Sequence, residues 1–407
     1  MKPLGLRRSP GGGLEANDFA DPYLELVHLL TQAAGLEHSL MAAYLYAGFS
    51  LKPEYASVRG DLTADLFGLH RLDSQVDDDL DKPHNILDVA VEEMQHLGAV
   101  NGFLGVLGAA PVMTPHAFPF AADIYPFAID LRSLTQPVAA TFLWVEAESI
   151  KLTGDAPGSE PPAFQQLVQE ALDRLRDPID REPVSHLGSL YNAIVRVAEQ
   201  VADRPPSFID PMVDWPGWLS KMDWILGQGE IAHYLFFRRI FTGETFLPGA
   251  PDPEQVWQDP DSDIFPSRAL ARGSAWRHAR PGIDDENARR LAWLGDLHYW
   301  LILGLLDSSY RGRDRTGRYQ AVGQMTRALW SIGTGLADTY CVGLPFDPLR
   351  PSYELGKNAA MAKQGILRLA NEAVSVETDL SGRGLLPPGY DPDALSSLIA
   401  ELQGGGG

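Results

Sequence analysis

Between residues 22 and 51 the apolar positions Leu26, Leu30, Ala33, Leu40 and Tyr44 recur every three or four residues, the period of one helix face. Pro53 ends that pattern. A second stripe, Ile86, Val89, Ala90, Leu97, Val100 and Leu104, predicts a helix over 85–107, stopped by Gly108 and Pro111. Helical spacing returns over 137–152, 164–175, 186–201, 218–241, 287–310, 319–341 and 355–376. The connections differ in kind. Residues 53–83 are polar and rich in Asp, and the run Asp77, Asp78, Asp79, Asp81 lacks the Gly and Glu of a calcium loop, so it reads as a solvated turn. Residues 109–135 hold four prolines and no periodicity, which suits a long crossover between two helix pairs of a bundle. Residues 243–286 read as irregular, and the chain after 376 as a Pro-rich tail ending in four glycines. Strand-like alternation is nearly absent, so the fold class expected is all-α.

Three of the stripes are broken by charged or ionisable residues on the core face. In the first helix the steps 26, 30, 33, 37, 40, 44 include Glu37. In the second, 86, 90, 93, 97, 100 include Glu93, with His96 one turn on. In the helix after Trp218, the steps 219, 222, 226, 230, 233, 237, 240 include Glu230 and His233. Residues three apart share a face, so each Glu-x-x-His can offer an oxygen and a nitrogen to one metal ion. A lone buried carboxylate costs several kcal/mol, roughly, unless it is paired or ligates a metal. No Lys or Arg falls over 28–51 or 85–107 to pair with these acids. One further acid is needed from a fourth helix. Glu146 continues the stripe Val138, Phe142, Glu146 and ranks first, with Glu199 and Glu148 behind it. Glu92 reads as exposed or as a neighbour supporting the ligands, and His298 as a core histidine satisfied by hydrogen bonds.

Composition narrows the chemistry. The 407 residues carry 33 Lys and Arg against 54 Asp and Glu, a formal charge of −21 that disfavours nucleic acid and anionic membrane as partners. The single Cys341 excludes an intrachain disulfide and any Cys-based metal site. No apolar run is long enough to span a bilayer and the first residues do not read as a secretory signal, so a cytoplasmic protein is expected.

Three segments, LEHSLMAAYLYAGFSL (36–51), VAVEEMQHLGAVNGFLGVLGAAP (89–111) and GQGEIAHYLFF (227–237), resemble the ferritin-like domain of the iminophenyl-pyruvate dimer synthase family. The violacein-pathway enzyme that couples two oxidised tryptophan-derived imines carries that domain. FLWVEAES and LGSLYNAI resemble two more family segments, and the likeness spans roughly 24–241. It implies Glu37, Glu93, His96, Glu230 and His233 as metal ligands and is compatible with Glu146. One departure stands out: the family often has an acid where this chain has Ser189, before Leu190 and Tyr191.

The expected architecture is therefore a ferritin-like four-helix bundle with a long crossover over 21–243. A disordered lead over 1–20 precedes it, and an irregular connection and helical region over 244–407 follow. The expected function is that of a non-haem di-iron oxidoreductase or oxygenase, with O₂ as co-substrate. By resemblance, it acts on an amino-acid-derived small molecule of secondary metabolism, and the C-terminal region would wall the substrate pocket. Alternatives are an iron-storage or other metal-binding protein, and a metal-independent imine-coupling enzyme or scaffold. A homodimer is left open.

Overall fold

The computed structural model describes residues 7–8, 14–15, 19–60, 85–113, 117–120, 128–154, 157–175, 186–312, 316–349 and 358–404. Most of the lead and the whole Asp77–Asp81 run lie outside them. Within the lead, Arg7–Arg8 pairs antiparallel with Leu14–Glu15. The other regular elements among the described residues are helical, and the all-α class holds.

The first half contains α1 (Pro22–Ser50), α2 (Ile86–Val106), α3 (Gln136–Glu146), α4 (Pro162–Asp173), α5 (Leu187–Asp203), α6 (Trp215–Gly227) and α7 (Tyr234–Phe241). Their starts are written in the sequence. Asp21, Asn85 and Asp214 each accept a backbone N–H of the first turn through the side chain, and Pro22, Pro137 and Pro216 occupy positions where no N–H is needed. A π-helical turn, Gln228–His233, joins α6 to α7 without breaking the rod.

Helix α1 is the axis of the molecule. It packs against α2 and α5 on one side and against the second half of the chain on the other. That double cover explains why its buried residues run around the whole circumference from Leu36 to Ser50 instead of forming a stripe. Helices α3 and α5 share one bundle position. α3 packs on α7 and stops at Glu146, whereas α5 begins at Leu187 and packs on α1 and α6. The seam is closed by His186, whose Nδ1 meets the Trp144 carbonyl at 2.7 Å, satisfying a carbonyl at the end of α3. Burial pushes the His186 imidazole down to about 4, so the neutral ring donates there. The sequence reading of a single helix over 137–152 thus gives way to a break at Ala147 and Glu148, followed by a short turn, Ser149–Thr153.

The second half contains α8 (Glu286–Gly312), α9 (Thr316–Gln324), α10 (Trp330–Tyr340), α11 (Ala359–Gly382) and α12 (Ala394–Gly404), with a second π-helical turn, Met325–Leu329, between α9 and α10. α8 packs on α9, α10 and α11, and α10 leans on α1. The tail read as Pro-rich coil after 376 instead extends α11 and adds α12. No described helix is long and apolar enough to cross a membrane.

Candidate metal centre

Five of the six residues singled out as ligands meet in the middle of the bundle. Glu37 comes from α1, Glu93 and His96 from α2, Glu146 from the last position of α3, and His233 from the π-turn. All five are at most 1 % exposed. They form two groups whose ligand atoms lie within 4.8 Å of one another: Glu37, Glu93 and His96, and Glu93, Glu146 and His233. Glu93 belongs to both. Its Oε2 is 3.1 Å from His96 Nδ1 and its Oε1 is 3.1 Å from His233 Nδ1. Glu37 Oε2 lies 3.5 Å from His96 Nδ1, and Glu146 Oε2 lies 3.6 Å from His233 Nδ1. The two imidazoles stand 5.6 Å apart.

The other atoms of these side chains are committed elsewhere. His96 Nε2 meets Gln228 Oε1 at 2.8 Å, and His233 Nε2 meets Glu92 Oε2 at 2.9 Å. Each acceptor takes the hydrogen of Nε2 and turns Nδ1 inward. Tyr191 donates its hydroxyl to Glu37 Oε1, and Tyr44 donates to Glu146 Oε1. What remains inside is Glu37 Oε2, Glu93 Oε1, Glu146 Oε2 and His233 Nδ1, all buried and none with a hydrogen-bond partner. Buried polar atoms are normally satisfied, and unpaired lone pairs that converge fit a metal. The donors are carboxylate oxygens and imidazole nitrogens without sulfur, a set that suits iron, manganese or zinc.

Without metal the cluster resolves its charges through protons. Burial, with repulsion from Glu93, pushes Glu37 up to about 8. Burial works against charge on Glu93 as well, yet His96 and His233 outweigh it and hold that carboxyl well below its ordinary range. Burial would lower His96, but Glu93 and Glu37 reverse the sign and lift it to about 10. His233 is likewise raised well above its ordinary value, with Glu146 and Glu93 overcoming burial.

Glu230, expected beside His233, is not brought into either group. It is half-buried, and its carboxylate lies over Gly188 of α5, where an added Cβ would sit 1.9 Å from Oε1. Burial, reinforced by Glu148, raises it to about 7. The Glu-x-x-His reading presumes α-helical phase, and the π-turn re-phases this stretch. Of the runners-up for the fourth acid, Glu199 is exposed and Glu148 faces Glu230. Gln228, Tyr44 and Tyr191 are not among the ligand candidates read from the sequence; Gln228 lies in the 227–237 segment, two residues before Glu230. The Trp224 ring meets the His96 ring edge-to-face, with centroids 5.5 Å apart.

A family model described as Ferritin-like matches residues 30–211, which include Glu37, Glu93, His96 and Glu146. Among solved structures, the chain is similar to a ferritin like protein from Caulobacter vibrioides, at 15% identity and a TM-score of 0.40, covering 78% of this chain and 98% of that one. No curated protein matches the chain. The family match and the helices together show an all-α, ferritin-like bundle.

Proposed function

We propose that the chain is a non-haem di-iron protein that uses O₂ to oxidise a small, amino-acid-derived molecule, with Glu37, Glu93, His96, Glu146 and His233 as its metal ligands. The observation that supports this best is the sharing of Glu93 between two converging ligand groups. Paired-iron sites in helical bundles are built on the same logic, with acids and Glu-x-x-His motifs projecting inward from facing helices. Iron in such a site supplies electrons and open positions at which O₂ reacts.

The protein's own part is to prepare and shield the place. Glu92 and Gln228 hold the two imidazoles with Nδ1 inward. Tyr44 and Tyr191 each occupy the outer oxygen of one acid, which leaves the inner oxygen aimed at the cluster. The walls exclude bulk water: Phe142 and Phe237 pack on Tyr44, and Trp224 packs on His96. Metal uptake displaces the protons held at Glu37, His96 and His233, so affinity rises with pH.

Anaerobic reconstitution with Fe(II) followed by elemental analysis should return about two irons per chain. A stoichiometry near zero overturns the metal reading. Uptake of many irons per chain, with O₂ consumed in proportion to iron alone, would indicate storage. Admission of O₂ should change the optical spectrum of the loaded protein without mineral formation.

A further inference from the structure

A second region has the features of a binding site. Between the outer face of α1 and the straps 272–281 and 343–348 lies a cavity of about 300 Å³, a size typical of small-ligand pockets. Its walls are apolar, formed by Phe118, Leu131, Pro281 and Pro345. Two hydrogen-bond donors line this space, one buried and unpartnered and the other exposed and paired with an acid. Tyr46 is 2 % exposed, and its hydroxyl is buried with no partner. Gly343 lies directly against that phenol, since a Cβ there would stand 2.2 Å from the Tyr46 hydroxyl oxygen. Arg272 spends one guanidinium nitrogen on Asp130, at 2.7 Å, and a guanidinium has five N–H donors.

The acid on the wall is occupied in holding the strap. Asp347 Oδ2 accepts from the Ser274 hydroxyl at 2.7 Å and from the Ala275 backbone N–H at 2.9 Å. Its own backbone N–H donates to the buried Asp296 at 3.1 Å. The neighbouring Phe346 has φ +50°, a left-handed conformation that is rare for a bulky residue and that persists only where surroundings impose it. Here the imposition is visible: the Phe346 ring is stacked parallel to Phe49 and meets the edge of Tyr299 at 5.1 Å. The strap is therefore held in a fixed shape against α1, with the cavity beneath it already formed.

We propose that this cavity is a binding site for a small carboxylate with an aromatic or apolar body, the carboxylate accepting from the Tyr46 hydroxyl and the Arg272 guanidinium. The apolar walls take the body, and the two donors take the acid. A buried hydroxyl without a partner is costly, and an acceptor delivered by a ligand removes that cost. The proposal does not depend on iron, because the residues that build the cavity are separate from the Glu/His cluster.

The test uses the full chain without added metal and 3-phenylpropionate as probe, followed by calorimetric titration. Saturable binding is expected with Kd of about 1 mM or tighter. Tyr46→Phe removes only the unpartnered hydroxyl, so the variant should fold with an unchanged or higher melting temperature and bind the probe about tenfold more weakly. Arg272→Gln should weaken binding by at least as much. Phenethylamine, which presents a cation on the same body, should bind far more weakly than the acid. The proposal is overturned if no saturable binding is seen at about 10 mM, if Tyr46→Phe binds as well as the parent, or if the amine matches the acid. A lowered melting temperature of Tyr46→Phe also overturns it, because the hydroxyl would then have a partner within the protein.

Discussion

Two buried histidine networks, one in each half of the molecule, show how a site differs from a core. In the second half, His298 of α8 is fully buried, with Nδ1 2.9 Å from Gln324 Oε1 and Nε2 3.1 Å from the Tyr390 hydroxyl. Tyr390 in turn reaches Glu377 at 2.9 Å, and Gln324 donates to the Ala394 carbonyl at 3.1 Å. Every polar atom of that imidazole has a partner, and the network ties α8, α9, α11 and α12 together. Burial pushes His298 down to about 4. In the bundle, His96 and His233 are just as buried but are pushed up, surrounded by acids whose inner oxygens have nothing to bond. Burial is common to both networks. Of the two, only the bundle concentrates unmet hydrogen-bonding capacity on one point.

The sharpest way to break this contrast is to remove one histidine from each network. His233→Ala, or Glu93→Ala, should abolish metal uptake, at some cost to the metal-free fold, since each leaves buried charged neighbours without their counter-ion. His298→Ala should keep the iron stoichiometry but lose about 2–4 kcal/mol in chemical denaturation. If His233→Ala destabilised the metal-free chain and left metal binding intact, the cluster would be structural.

Titration gives the next largest effect. Glu37 is raised from 4.5 to about 8 and His96 from 6.5 to about 10, so each contributes stability at low pH that is lost as pH rises through the folded value. Glu93 is shifted the other way, and its contribution is lost only on acidification well below this window. The metal-free protein should therefore melt at progressively lower temperature from about pH 4.5 to 10. Metal binding strengthens over the same range. The gap in melting temperature between loaded and metal-free protein should widen with pH, and a constant gap would contradict the protonation of these ligands.

Smaller effects come from the supporting groups. Tyr191→Phe removes the donor on Glu37 and should weaken metal affinity about tenfold with little change in fold, measured by competition with a chelator. Gly188→Ala places a Cβ against the flexible end of Glu230 and should cost under about 1 kcal/mol in a thermal melt. A much larger loss would mean that Glu230 is fixed where it lies.

Much of the candidate cluster was legible because its acids and histidines interrupt periodic apolar stripes: Glu37, Glu93 and His96 stand at core steps of regular α-helices, and Glu146 extends the Val138–Phe142 step. Glu230 was legible as a motif and misleading as geometry, because a π-turn is invisible to a three-residue spacing rule. Tyr44 and Tyr191 reach their acids across 102 and 154 residues of sequence, a relation that no local pattern carries. The break in the third bundle position went unread for a similar reason: His186 closes it from 42 residues away. Helix α12 was obscured by the prolines and glycines that precede it, though its own run is apolar at helical spacing.

The shared position of Glu93 has a consequence for inheritance. Two groups that lean on one residue cannot be lost or altered one at a time through it, so no substitution at Glu93 yields a chain with one intact half. Changes that separate the halves must fall at Glu37 or His96 on one side, or at Glu146 or His233 on the other. A lineage descending from this chain could drift to a single intact group by either of those routes, and the surviving half would reveal which was taken.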